Sequence, residues 1–154
     1  MIPREYPPLF AEGFRDIGIW QLDEIFLKPF GEDSPRRELI DRFRSYLRLF
    51  EPLPIPIEIW IDGSFATYKP EPADIDIVIV VSNPDLDNFT IIQFALFDEL
   101  TASNSSMKNR YGCDFYIIDG YDEGQIQKWK HIFGTDRSNV NSKGIYRIKL
   151  NTKV

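Results

Sequence analysis

The chain has 154 residues, 43% of them hydrophobic and 14% aromatic, enough to bury roughly 70% of the surface its unfolded form would expose, so whole-chain disorder is excluded and a single domain is expected. Its 18 Lys+Arg against 24 Asp+Glu leave a net charge of −6, which argues against a general nucleic-acid coat. The lone Cys113 excludes an internal disulfide and suits a reducing compartment, so a cytoplasmic location is expected.

Residues 1–19, with three prolines and two glycines, read as an extended arm. Trp20 to Lys28 suits a short helix with Leu22, Ile25 and Phe26 on one face, stopped by Pro29. Together, residues 1–33 form an arm and short helix ahead of a main domain over 34–154. Ser34-Pro35 is a helix start, the serine capping and the proline at the first helical position. Leu39, Ile40, Phe43, Tyr46, Leu47 and Phe50 then recur at helical spacing, predicting an amphipathic helix over about 35–50 whose Arg36, Arg37, Arg42, Arg44 and Arg48 form a solvated face or a partner surface.

Ile57 to Ile61 alternates as a strand that Asp62-Gly63-Ser64 ends, with Asp62 read as a turn residue beside whatever site forms there. Ile75 to Val81 is β-branched and almost continuously apolar, a strand buried on both faces. It is the most apolar stretch, is seven residues long and carries Asp76, so no membrane-spanning helix is expected. Nor has the first segment, MIPREYPPLF, the apolar core of a signal peptide. A helix over about 87–100 should turn Phe89, Ile92, Leu96 and Leu100 inward. A polar loop, SNSSMKNRYG, precedes a third apolar strand from Cys113 to Ile118. Asp122 caps a helix from Glu123 to Phe133 closed by Gly134, and Ile145 to Leu150 adds an edge strand. The fold class is therefore α/β (α+β), a small mixed sheet flanked by helices. Trp20, Trp60 and Trp129 read as core or interface residues, Cys113 as core, and His131 as non-catalytic.

One arrangement exceeds what core-building needs: strand, Gly63-Ser64, nine residues, Asp74-Ile75-Asp76, strand. Two carboxylates two apart on a strand share a side, roughly 6.5–7 Å apart along the backbone. Burying Asp76 in an apolar strand costs several kcal/mol unless something such as a divalent cation compensates it. Glycine lets a backbone approach a phosphate, whose oxygens N–H groups and the serine hydroxyl then bind. The plainer alternatives are a turn cap at Asp74, an exposed strand end at Asp76 and an ordinary turn at Gly63-Ser64. From Lys128 to Val154 there are seven basic residues and one acid, whereas residues 1–127 hold 11 basic and 23 acidic ones. Such a split suits a meeting of metal ions and polyphosphate.

Asp62-Gly63-Ser64-Phe65 through Ala73-Asp74-Ile75-Asp76-Ile77-Val78 resembles the hallmark of the nucleotidyltransferase superfamily, to which DNA polymerase β, poly(A) polymerases and the minimal nucleotidyltransferases belong. The stretch around Ile59 to Phe65 and Lys69-Pro70-Glu71-Pro72 is also similar to short bacterial nucleotidyltransferase-like proteins, with likeness continuing into Trp129, Phe133-Gly134, Arg137 and Lys143-Gly144. Ala66-Thr67-Tyr68-Lys69 stands where minimal members usually carry an arginine and a glycine.

The resemblance implies Asp114 as a third catalytic acid beside Asp74 and Asp76, the three holding two Mg²⁺ (or Mn²⁺) roughly 3.5–4 Å apart. It further implies phosphate contacts from Gly63, Ser64, Lys69, Arg137 and Lys143. The expected activity is transfer of a nucleoside monophosphate, AMP foremost, from an NTP to a hydroxyl. Given the small size, the expected acceptor is a protein side chain in a toxin–antitoxin or defence setting. The alternatives are a catalytically silent interaction module of the same fold, and nucleotide addition to an RNA end with the basic C-terminal segment tracking phosphates.

Overall fold

The computed structural model describes residues 6–101, 104–135 and 142–152. Strands β1 (Phe14–Asp16), β2 (Ile57–Asp62), β3 (Ile75–Val81), β4 (Cys113–Asp119) and β5 (Ile145–Leu150) form one mixed sheet in the order β1-β5-β2-β3-β4. The helices are α1 (Leu22–Phe26), α2 (Arg36–Arg48), α3 (Asn83–Asp87), α4 (Ile91–Thr101), α5 (Asn104–Tyr111) and α6 (Glu123–Gly134). β1 runs parallel to β5 and β3 parallel to β4, while β2 is antiparallel to both its neighbours. Among the described residues no helix is long and apolar enough to cross a membrane.

Alternation along the strands builds a core on each side of the sheet. On one side Ile59, Ile61, Ile77, Ile79 and Phe115 pack with Phe43, Tyr46 and Leu47 of α2. On the other, Trp60, Val78, Val80 and Ile118 pack with Phe133 of α6 in a smaller core. Each fully buried Ile or Phe contributes roughly 1.5–3 kcal/mol, so the sheet is held firmly from both faces. The expected cap of α6 is in place, Asp122 Oδ1 accepting from Gln125 N at 3.1 Å, whereas α2 begins one residue later than expected, with Pro35 as its cap residue and Ser34 Oγ accepting from Arg36 N at 3.1 Å just ahead of it. Cys113 is buried, as expected.

Several expectations are corrected. β5 is not an edge strand; it lies between β1 and β2, because the N-terminal arm itself supplies the edge. The helix expected over 87–100 is broken: Ser82 caps α3, and a reciprocal pair, Thr90 N to Gln93 Oε1 and Gln93 N to Thr90 Oγ1, starts α4 afresh. This new phase turns Ile92 outward, 82% exposed, while Phe97 and Leu100 face the core. Residues read as a polar loop form α5, which Gly112 closes at φ 71° with its N–H on Lys108 O at 2.8 Å. Of the two readings of Trp20, core or interface, the core one fails, since the ring is 78% exposed. Arg36, read with the solvated arginines, is wholly buried.

Candidate active site

The turn after β2 is shaped by what it must approach. Gly63 has φ 75°, a region L side chains avoid, and a Cβ there would collide with Asp76 Oδ2. The chain continues into one helical turn, Ser64–Ala66, closed by Ala66 N to Gly63 O at 3.2 Å and by Thr67 Oγ1 to Ser64 O at 2.7 Å.

This turn is fastened from below by Arg36. Its guanidinium donates to Phe65 O (2.8 Å), Thr67 O (2.8 Å), Lys69 O (2.7 Å) and Phe26 O (3.3 Å), and lies 3.8 Å from the Phe30 ring centre. Burial pulls its pKa down to about 10, which leaves it charged at neutral pH. From outside, the arm adds Leu9 N to Ala66 O and Tyr68 N to Pro7 O, both 3.0 Å. Helical periodicity gave no warning of this role, since Arg36 precedes the first apolar position of α2.

Pairing in the sheet brings the acids together. Asp62 stands opposite Asp76 across the β2–β3 pair, and Asp76 opposite Asp114 across β3–β4. Directly paired residues share a face, so the three form one row over strands spaced about 4.8 Å apart. Asp74, just ahead of β3, is near enough for its charge to act on Asp76. The row sits on the α6 face, beyond the smaller core. Asp74, Asp76 and Asp114 are half-buried, whereas Asp62 is only 2% exposed.

Electrostatics follow from this crowding. Burial, with Asp74 and Asp114 adding repulsion, pushes the Asp76 carboxyl up to about 6. Burial likewise raises Asp62, against the downward pull of Lys143. Two ammoniums answer the negative charge: Lys108 Nζ is 2.9 Å from Asp74 Oδ2, and Lys143 Nζ is 3.1 Å from Asp62 Oδ2. The bond to Asp74 raises the Lys108 pKa. Asp62 Oδ1 is buried with no hydrogen-bond partner among the described residues.

The fold thus gathers Gly63, Asp74, Asp76, Asp114 and Lys143 of the expected site, with Ser64 opening the adjoining turn. Lys69 lies at the far end of that turn, and among the described residues its ammonium makes no ion pair with the acids. Arg137 lies outside the described residues. Sequence reasoning missed Lys108, because its helix was read as loop, and undervalued Asp62, whose buried place at a strand end resembles a turn signal. Among the described residues no three His, Cys, Asp or Glu side chains converge closely enough, as placed, to hold one metal ion.

Residues 8–149 match a family model described as "Family of unknown function (DUF6932)". No curated protein and no solved structure matches the chain. The chain belongs to that family.

Proposed function

We propose that this member of the DUF6932 family is a divalent-cation-dependent nucleotidyltransferase that moves a nucleoside monophosphate from an NTP to a hydroxyl. The observation that carries the reading is the row of acids beside a turn in which no side chain fits at Gly63. The donor set suits hard dications, since it offers carboxylate oxygens, one of them buried and unpartnered. Asp74, Asp76 and Asp114 would hold such ions, which supply positive charge to a triphosphate and acidify an acceptor hydroxyl.

The chain's own residues take the remaining roles. Ser64 and the backbone of its turn donate to phosphate oxygens, and Arg36 keeps that turn rigid from behind. The ammoniums of Lys143 and Lys108 offset the charge of the arriving nucleotide. The acceptor oxygen bonds to the α-phosphorus as the bond from that phosphorus to the α–β bridging oxygen breaks. Pyrophosphate leaves with the electron pair, and the hydroxyl proton passes to Asp114. AMP as the transferred group, a protein acceptor and a toxin–antitoxin setting rest on the resemblance to minimal nucleotidyltransferases. The test is incubation with each α-phosphate-labelled NTP, Mg²⁺ and lysate. Label entering protein and lost in Asp76→Asn supports the reading; no labelled product with any NTP removes it.

One observation favours a silent interaction module: Ile91, Ile92 and Phe94 of α4 are 90%, 82% and 52% exposed. The arginine face of α2 contributes less to that alternative, because Arg36 is buried, Arg37 pairs with Glu32, and Arg44 pairs with Asp23 and Asp41. Mg²⁺-dependent NTP binding separates the two.

A further inference from the structure

Asp62 is the residue of this site that the Gly-Ser and Asp-x-Asp pattern leaves without a task. An apolar residue would end β2 at no electrostatic cost, as Trp60 shows two positions earlier on the same face. Instead a carboxylate is almost completely buried, one oxygen on the Lys143 ammonium and the other with no hydrogen-bond partner among the described residues. A buried charge that is only half satisfied is costly and calls for a stronger partner than one ammonium.

We infer that Asp62 is a ligand of a divalent cation shared with Asp76, and that Lys143 is the internal counter-ion which this cation displaces. The inference rests on the cation-dependent reading above and adds to it a fourth carboxylate and a competitor. Asp62 and Asp76 are direct partners across antiparallel strands, and the missing side chain at Gly63 lets the Asp76 carboxylate lie over the turn that follows Asp62. That a cation reaches this spot is plain from Lys143, whose side chain is 17% exposed and ends on Asp62. Lys108 does the same on Asp74, so an ammonium stands at each of two acids in the group.

A small dication takes carboxylate oxygens at about 2.1 Å, closer than an ammonium and with twice the charge. Mg²⁺ also keeps several waters and needs only one or two protein carboxylates, completing its shell with phosphate oxygens. Two converging acids are therefore enough. Displaced, Lys143 does not leave: its backbone N–H is fixed on Gly134 O at 2.9 Å, at the end of α6. Its ammonium turns from a fixed root toward whatever anion arrives with the cation.

The test measures Mn²⁺ binding to the full chain without nucleotide, by following free Mn²⁺ in electron paramagnetic resonance. The variants are Lys143→Gln, Lys143→Arg, Asp62→Asn and Asp114→Asn, each checked for folding by thermal unfolding. Lys143→Gln should tighten Mn²⁺ about tenfold, Lys143→Arg should stay near wild type, and Asp62→Asn should weaken one ion by about tenfold or more. Asp114→Asn should retain the Asp62-dependent ion. Unchanged affinity in Lys143→Gln overturns the inference even if Asp62→Asn does not fold, and so does unchanged affinity in a folded Asp62→Asn. If either occurs while the wild type binds Mg²⁺-NTP in calorimetry, the nucleotidyltransferase reading stands and Asp62 alone is misassigned. If the wild type binds neither Mn²⁺ nor Mg²⁺-NTP, both fall.

Discussion

Gly63 and Asp76 are packed so that the backbone of the first is the floor on which the carboxylate of the second rests. Gly63→Ala meets two obstacles at once, a positive φ and an occupied space. It should cost on the order of 2 kcal/mol of stability and displace Asp76, with a loss of Mg²⁺-NTP binding that exceeds the loss in stability. Urea denaturation and calorimetry on the same preparation check both.

Asp76→Asn should be nearly neutral at pH 4 and stabilising at pH 8 in the absence of divalent cations. The folded-state pKa of Asp76 is raised to about 6 from 3.8. Its favourable contribution is therefore complete below the unfolded value and is lost as pH rises through the folded one. Allowing for partial exposure, the variant should gain about 1–2 kcal/mol at pH 8. Urea midpoints at the two pH values measure it; a large loss at either would reveal a structural partner for Asp76.

Arg36→Met removes the donor that four carbonyls share. Leaving these acceptors buried should cost about 3–5 kcal/mol. Arg36→Lys keeps the charge without the planar fork and should recover only part of this. Because Arg36 does not face the acids, nucleotide affinity should fall only as far as the Ser64 turn loosens, read from thermal melts and calorimetry of Arg36→Lys.

Lys143→Ala should weaken NTP binding at saturating Mg²⁺ by roughly 1.5–3 kcal/mol, the range for hydrogen bonds to charged groups. Lys149→Ala, an exposed position on β5, should change it little. Equal and small effects at the two positions would make the basic C-terminal segment a plain charged surface.

Much of this architecture is legible in the sequence. β3 declares itself by an unbroken β-branched run, α2 by its apolar period, α6 by Asp122. The rest depends on contacts that no local pattern encodes. α5 is rich in serine and asparagine, weak helix formers, so its sequence reads as loop. The pair Thr90 and Gln93 resets the phase of α4 within a window that periodicity treats as continuous. The row of Asp62, Asp76 and Asp114 is a matter of strand register, which spacing along one strand does not reveal. Arg36 is buried because distant carbonyls converge on it, whereas an arginine at a helix start ordinarily reads as solvent-facing.

The N-terminal arm touches both loops of the site within a few residues. Pro7 and Leu9 bond the chain after Ser64, and Phe10 O and Gly13 O receive the N–H groups of Gly144 and Ile145 just past Lys143. The arm therefore acts as a spacer bar between the Ser64 turn and the segment that carries Lys143. Phe14 pairs with Ile145 across nearly the full chain, so this closure carries a large loop entropy. The acids are set by neighbouring strands, whereas the distance across the site is set by how the first strand seats against the fifth.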